Sequence, residues 1–291
     1  SPNQTYTLYE ELGVVGKDFA KQAWKGVVAV DVLIKIRQET RPYVRDPGSC
    51  DRLYQQYLDR ISREVERGED LRDVLASAYR DFRDLPRSTE RQKPVVGLVG
   101  EIYVRSNPFA NENVVRNLEE LGVEVWLPTI GEWIHYVNHT SKKQALEEHA
   151  FGQWLKLALE TRYQHKVEHH LLQACDSGLR SLPEPGTKSL LQWASRFIDP
   201  RFEGEAILSV GKSLDYADKR VQGLVNVIPF TCMPGGVVDA LLKRITQENP
   251  LPSLTLIFDG QSETNTQNRL EAFVHQVSQQ GSGDGDSRQG E

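Results

Sequence analysis

The sequence is poor in the residues that several common kinds of site require. It has only three cysteines and one methionine in 291 residues, and Cys50, Cys175 and Cys232 lie far apart. Because the number is odd and no CxxC pair occurs, the sequence predicts neither a disulfide framework nor a four-ligand zinc site, and it fits a reducing compartment. One copy cannot build a four-thiolate iron–sulfur site, so any such cluster must take ligands from outside this chain.

Other absences narrow the class of protein further. No apolar run approaches the roughly 20 residues of a membrane-spanning helix, and a net charge of -6 supplies no basic field for nucleic acid. No GK[ST] motif occurs, and Gly97 and Gly100 have the wrong spacing for a GxGxxG loop. We therefore expect a soluble, cytoplasmic protein with no membrane or nucleic-acid partner and no nucleotide site in this chain.

The pattern of apolar residues divides the chain into three parts. Helical periodicity dominates residues 1–93, whereas residues 94–275 alternate short apolar runs with helical segments. This alternation predicts an α/β fold of Rossmann-like or flavodoxin-like type, a parallel sheet with flanking helices, preceded by a mostly helical region. The predicted strands cover residues 95–99, 123–127, 224–228 and 254–258. Residues 276–291 include a stretch rich in Gly, Ser and Asp and are predicted to be a disordered tail.

Polar loops follow the predicted strands. Because the carboxyl ends of parallel strands lie at one edge of a sheet, we expect these loops to converge on one crevice. Asp259 with Gly260 is also a typical turn pair, and the aromatic residues after Glu132 more often belong to a core. No catalytic residue is assigned. The crevice or substrate-side candidates are Glu101, Tyr103, Arg105, Asn107, Glu132, Asp259 and Gln261.

Cys232 is the most informative residue of the chain, because it lies where a predicted strand ends and a predicted helix begins, within residues 228–236. Free N–H groups at a helix start favour the thiolate, which can be a nucleophile or a metal ligand. A nucleophile needs a base in reach, and no histidine lies in this loop, although His135 could approach from another. Metal ligation of the iron–sulfur type therefore ranks first, and a small cysteine that only packs is the plain alternative.

A second group of potential ligands lies on the long helix predicted from Ser141 to about Ala174. His165 and His169 are spaced four residues apart, as zinc ligands often are. Their neighbours are Gln164, Lys166 and Glu168, and this polar setting favours a solvated helix face over a metal site.

Several motifs, in order along the chain, resemble one protein family. They look like the C-terminal portion of acyl-CoA dehydratase activase-related proteins, which are similar to components of 2-hydroxyglutaryl-CoA dehydratase and benzoyl-CoA reductase. The resemblance runs from about Tyr6 to Phe273 and so covers nearly the whole sequence. The segments that carry it are residues 23–31, 41–43, 97–105, 132–134, 204–206, 226–235 and 259–261.

The resemblance implies a protein that holds an iron–sulfur cluster and takes part in ATP-driven, low-potential electron transfer to CoA thioesters. Its implied partner is an ATPase activase module of the actin-like fold or a partner subunit. Only Cys232 matches a family cysteine, and relatives carry further cysteines ahead of this region, so the chain resembles a fragment or a subunit lacking its partner half. The alternatives are a scaffold or interaction module without a cluster, and a thiol-dependent acyl-transfer enzyme using Cys232 with His135.

Overall fold

The computed structural model describes residues 18–89, 91–175, 178–260 and 265–283, with residues 280–283 described by backbone alone. The chain forms two compact units. The first, here called the helical unit, contains the residues up to Pro86 and Ile134–Leu182, and the second, the sheet unit, contains Arg87–Trp133 and the residues from Pro183 onwards. The predicted division near residue 94 differs in one respect, because residues 134–182 belong with the amino-terminal helices.

Eleven helices and four strands are distinguished here in the described residues, apart from short 3-10 turns. In chain order they are α1 (Phe19–Gln38), α2 (Pro47–Arg67), α3 (Arg72–Arg83), β1 (Val95–Gly100), α4 (Ile102–Ser106), α5 (Val114–Glu120), β2 (Glu124–Trp126), α6 (Ile130–Glu147), α7 (Phe151–Leu172), α8 (Thr187–Ala194), α9 (Glu205–Asp218), β3 (Gly223–Pro229), α10 (Met233–Glu248), β4 (Ser253–Phe258) and α11 (Thr266–Gly283).

The helical unit follows from amphipathic helices with clear start and stop signals. Asp46 caps α2 by accepting a 2.9 Å hydrogen bond from the Gly48 N–H, and Pro47 occupies the first turn. The helix ends at Gly68, whose φ of 75° is the left-handed conformation that terminates many helices. The apolar faces of α1, α2 and α3 then pack into one core, which includes the fully buried Leu33 and Phe82.

The sheet unit contains a four-stranded parallel sheet in the order β2-β1-β3-β4. All six residues of β1 and six of the seven in β3 are buried, because helices cover both faces of these central strands. Helices α5 and α11 pack on one face, and α9 and α10 on the other. The predicted α/β fold, a parallel sheet with flanking helices preceded by a helical region, is confirmed.

The strand order creates a switch point between β1 and β3. The chain leaves β1 for β2 on one side of the sheet, whereas β3 is followed by β4 on the other side. In open α/β sheets, ligands bind in the crevice outside the carboxyl ends of the strands at such a point. The loops after β1 and β3 are therefore the first place to look for a site.

Two helical predictions differ from the structure in detail. The long helix predicted from Ser141 is two helices, α6 and α7, separated by a turn in which His149 has a φ of 56°. Helix α11 continues to Gly283, well into the segment predicted to be a tail, while residues 284–291 lie outside the described residues. In the part of the chain that the structure describes, no helix has both the length and the apolar character needed to span a bilayer.

Candidate functional site

The carboxyl ends of β1 and β3 lie side by side, and the chain after β1 is held against β3 at Gly100. Gly100 has a φ of 121°, and a Cβ there would lie 2.1 Å from the carbonyl oxygen of Val227. The N–H of Glu101 donates to the same carbonyl at 3.0 Å. Only glycine fits this position, since both the conformation and the close approach exclude a side chain. We call this region, residues 100–107 and 230–236, the switch-point edge.

Two carboxylates, Glu101 and Glu205, interact at the switch-point edge. Glu101 caps α4 by accepting a 2.7 Å hydrogen bond from the Val104 N–H, and Glu205, at the start of α9, accepts one from the Ile102 N–H. Burial raises the pKa of Glu205, and the charge of Glu101 raises it further, against the opposing effects of the hydrogen bond from the Ile102 N–H and of the charge of Arg105. Glu205 therefore keeps its proton to a higher pH than an ordinary glutamate, which suits a proton donor or acceptor.

The other predicted residues after β1 have different roles. Arg105 is 5% exposed, and its Nε has no hydrogen-bond partner among the described residues. Tyr103 is 63% exposed. Asn107 uses its Oδ1 to accept hydrogen bonds from the N–H groups of Phe109 and Ala110, so it stabilises the turn after α4. Arg105 therefore contributes a buried positive charge, whereas Asn107 serves the local backbone.

Cys232 lies at the end of the loop after β3 and is the N-cap of α10. Its Sγ accepts a hydrogen bond of 3.4 Å from the Gly235 N–H, and the residue is partly exposed. The neighbouring Phe230 and Met233 are 65% and 69% exposed, and Thr231 has a φ of 61°. The prediction that Cys232 stands at a strand-to-helix junction is confirmed, and its thiol lies among exposed apolar side chains.

The candidate after β4 lies at the same carboxyl edge of the sheet, because the Phe230 N–H donates a 2.8 Å hydrogen bond to the carbonyl oxygen of Phe258. Asp259 is exposed directly after β4, an edge strand, and Gly260 has a φ of 83°, as expected for the turn interpretation. Gln261 lies outside the described residues.

Glu132, a predicted crevice residue, is buried and has a charged partner inside the sheet unit. Its carboxylate is 3.6 Å from Nζ of Lys212, and the side chains are 3% and 1% exposed. Lys212 also contacts Glu184 and, at 3.0 Å, Asp215. Burial alone would lower the pKa of Lys212, but Glu184 and Glu132 raise it well above its ordinary value. The lysine therefore stays charged and neutralises part of a buried acidic cluster.

Tyr216 packs between this acidic cluster and the sheet. The Tyr216 ring lies 5.1 Å from the ammonium of Lys212, and it occupies the space that a Cβ at Gly97 would need. Its hydroxyl donates to the carbonyl oxygen of Trp126 at the end of β2. Gly97, which interrupts the first strand in sequence, is thus explained by the packing of α9 on β1.

The cysteines of the helical unit are structural. Cys50 and Cys175 are 0% and 1% exposed and belong to its hydrophobic core. Burial raises the pKa of Cys175 to about 12, with a further contribution from the carboxylate of Glu39. A neutral thiol in such surroundings is inert, so neither residue is a candidate nucleophile or ligand.

The histidines of α7 form a different group from the predicted pair. His165 stacks on His135 of α6, with ring centroids 4.5 Å apart and planes at 15°, and both contact Glu168. His169 instead contacts Gln173. Although the ligand atoms of His135, His165 and Glu168 lie within 4.8 Å of one another, one ion cannot lie in the planes of two stacked rings. Because His135 already bonds to Glu168 at 3.1 Å, the group is better explained as a hydrogen-bond network.

Sequence reasoning missed two residues of the sheet unit. Glu205 was part of a family-like segment, but its place beside Glu101 depends on how α9 approaches the loop after β1. Lys212 carried one local signal, an acidic residue three positions later at Asp215. Without knowledge of the fold, neither signal shows that these residues belong to a buried site.

Comparison with known proteins adds no relative to this description. No protein-family model, no curated protein and no solved structure matches the sequence.

Proposed function

We propose that this protein is an iron–sulfur-cluster-binding component of an ATP-coupled system that transfers low-potential electrons to CoA thioesters. One observation carries the proposal: the thiol of Cys232 lies at the carboxyl edge of a parallel sheet, beside its switch point. The motifs that resemble acyl-CoA dehydratase activase-related proteins supply the chemistry, that of a 2-hydroxyacyl-CoA dehydratase or a related reductase.

The donor set of this chain fits one ligand position of a cluster. Thiolates are the usual ligands of iron–sulfur clusters, and Cys232 is the one cysteine of the three that is not buried. Cys50 and Cys175 are sealed in the core of the helical unit. The remaining ligands therefore come from outside this sequence, and a partner subunit or an actin-like-fold ATPase module is the proposed partner.

Residues near Cys232 would bind and surround the iron–sulfur cluster. A bound cluster supplies one-electron transfer at low potential. The Gly235 N–H donates to Sγ of Cys232, and hydrogen bonds to ligating sulfur tune such centres. Glu205, with its raised pKa, and the buried guanidinium of Arg105 are suited to hold a proton and to balance charge close to a thioester substrate.

The test is the iron and sulfide content of the complete natural gene product, purified and reconstituted without oxygen. We expect iron, acid-labile sulfide and a charge-transfer absorption band in the unaltered protein. Cys232→Ser should lose at least about half of the iron, because a cluster that lacks one thiolate is held more weakly. Cys175→Ala is the matched control and should keep the iron content of the unaltered protein.

Full iron retention in Cys232→Ser would remove this cysteine from the ligand set. Loss of iron in Cys175→Ala to the same extent would show that the effect reflects damaged folding, so circular dichroism spectra accompany each variant.

A second function, that of an interaction module without a cluster, is supported by the exposed apolar side chains of the same region. Tyr103, Phe109, Phe230 and Met233 are 63% to 92% exposed and follow the two central strands. Large exposed apolar groups mark protein-binding surfaces. Iron-free protein after anaerobic reconstitution, together with capture of a partner that Phe230→Ser abolishes, would favour this second function.

A further inference from the structure

Arg105 carries a buried guanidinium for which the described residues supply no partner. It lies in the last turn of α4 and is 5% exposed. Its Nε–H has no hydrogen-bond acceptor among the described residues, and no carboxylate of these residues lies within ion-pair distance of its guanidinium. An arginine keeps its charge at any physiological pH. Because buried charges are normally paired, this arrangement favours a negatively charged ligand.

Helix α9, which begins beside the loop after β1, has unpaired N–H groups in its first turn. Its N-cap is Gly204, and no side-chain hydrogen bond caps this end of the helix. The N–H groups of Ala206 and Ile207 have no acceptor in the part of the chain that the structure describes. Both residues are buried, at 1% and 0% exposure. The N–H groups at a helix start carry a partial positive charge, and a buried start normally has a cap, a water molecule or a ligand.

Glu205 connects the guanidinium with this helix start. Its carboxyl accepts a hydrogen bond from the N–H of Ile102, so the first residue of α9 lies against the first residue of α4. The charge of Arg105 also acts on this carboxyl, but burial and Glu101 raise its pKa more strongly. A glutamate that keeps its proton does not neutralise a guanidinium. It can instead donate a hydrogen bond to an anion.

We propose that Arg105 and the start of α9 bind a phosphate group beside the switch-point edge. The donors belong to two different helices, which suits a tetrahedral ion with several oxygens better than a planar carboxylate. A phosphate monoester carries a charge of about −1.5 to −2 at neutral pH, so it can balance both positive groups even with the carboxylate of Glu101 nearby. Phosphate binding requires neither Cys232 nor a cluster, so this inference does not depend on the proposed function.

The first test is a titration of the full chain with inorganic phosphate, followed by phosphorus NMR at pH 7. We expect saturable binding with a Kd of roughly millimolar size. Arg105→Met should raise this Kd at least about tenfold, because it removes the charge-assisted hydrogen bonds. Arg116→Gln is the control, since it removes a guanidinium that is already paired with Glu120. It should change the Kd by less than about twofold, because a distant charge is screened.

Thermal unfolding separates a binding role of Arg105 from a structural one. Without phosphate, Arg105→Met should keep or raise the Tm, because it removes a buried charge that has no partner. With saturating phosphate, the Tm of the unaltered protein should rise by more than that of the variant, since a ligand stabilises the fold that binds it. A lower Tm for Arg105→Met in both conditions, with equal responses to phosphate, would show that the guanidinium only balances Glu101 and Glu205. The proposal would then be overturned.

Glu205→Gln tests the same site through a gain of affinity. The amide oxygen can still accept the hydrogen bond from Ile102, but the side chain no longer carries a negative charge at pH 8. The Kd for phosphate at this pH should therefore fall by about threefold or more. Glu203→Gln, at an exposed glutamate two positions earlier, should change it by less than about twofold. Weaker binding in Glu205→Gln than in the unaltered protein would contradict the proposal.

Two further probes identify the chemistry of the ligand. Acetate, a planar carboxylate, should bind at least about tenfold more weakly than phosphate. Free CoA carries phosphate groups and distinguishes two sources of the phosphate. If CoA binds more tightly than inorganic phosphate and loses this advantage in Arg105→Met, the ligand is a phosphate of a CoA substrate, and otherwise it is a small phosphate ester. Acetate bound as tightly as phosphate, or no phosphate binding that depends on Arg105, would overturn the proposal and leave internal water as the partner of these donors.

Discussion

At the scale of single residues, the part played by a charged group in this protein depends on partners that are distant in sequence. Glu132 follows a strand and precedes aromatic residues, which is all that the sequence reveals about it. In the fold it contacts Lys212, a residue of another helix. Because no spacing rule connects α6 to α9, the sequence could identify Glu132 as a polar residue of interest but not its internal role.

Replacing Lys212 measures how much the stability of the buried acidic cluster depends on its counter-charge. Lys212→Met should lower the free energy of unfolding by about 3–5 kcal/mol, because it leaves buried carboxylates without their main counter-charge. Lys219→Met is the control: Lys219 is 3.3 Å from Asp215, but its side chain is 19% exposed, and we expect a loss of about 1 kcal/mol or less.

Urea unfolding followed by circular dichroism gives both values. Similar losses in the two variants would contradict the central role of Lys212. If Lys212→Met does not fold at neutral pH, recovery of its structure in mild acid, where carboxylates take up protons, would still support that role.

At the scale of helices and strands, more of the structure could be predicted from the sequence than at the scale of single residues. The runs at residues 95–99, 224–228 and 254–258 are strands in the structure. The first two form the central strands, which read as continuous apolar segments because both of their faces are buried. The predicted junction at Cys232 is also confirmed. The break between α6 and α7 was missed, since no proline or glycine lies in it. His149 takes a left-handed conformation there, which a histidine in the sequence does not predict.

Gly100 allows the contact between the loop after β1 and the end of β3 to be tested. Gly100→Ala and Gly204→Ala both place alanine at a positive φ, 121° and 117°, which costs about 1–3 kcal/mol. At Gly100 the new Cβ also collides with the backbone of β3, whereas at Gly204 nothing lies within 4 Å. We therefore expect Gly100→Ala to lose about 2 kcal/mol more.

Equilibrium unfolding of the two glycine variants provides the comparison. Equal losses would show that the loop moves away from β3 at little cost. The close approach at Gly100 would then not be what holds the Glu101 N–H at the carbonyl oxygen of Val227.

At the scale of the whole molecule, the partition into two units is the feature that the sequence could least predict. Residues 134–182 follow β2 in sequence and lie within the range 94–275 predicted for the α/β domain, but they pack with α1 to α3. Such a return of the chain depends on matching apolar faces over long separations. Local periodicity reports only that each of these segments is an amphipathic helix.

The helical unit should lose stability in acid through Glu168. Burial alone would raise the pKa of this carboxyl, but hydrogen bonds from His135 and His165, and their charge, lower it from 4.5 to about 2. The contribution is therefore present above pH 4.5 and is lost as the pH falls towards 2, on the order of 2 kcal/mol in total.

Thermal unfolding between pH 2 and pH 6 tests this dependence. Glu168→Gln should flatten the acid limb of the Tm curve, whereas Glu66→Gln, at an exposed carboxyl of α2, should leave it unchanged. An acid limb that is the same in both variants would show that other groups control it.

The burial of Cys50 and Cys175 leaves the folded chain with a single thiol that reagents can reach. A maleimide dye or a nitroxide spin label added to the native protein should therefore attach at one known position, Cys232, without any engineered cysteine. Fluorescence or paramagnetic readings from that label report on the loop after β3 and its surroundings.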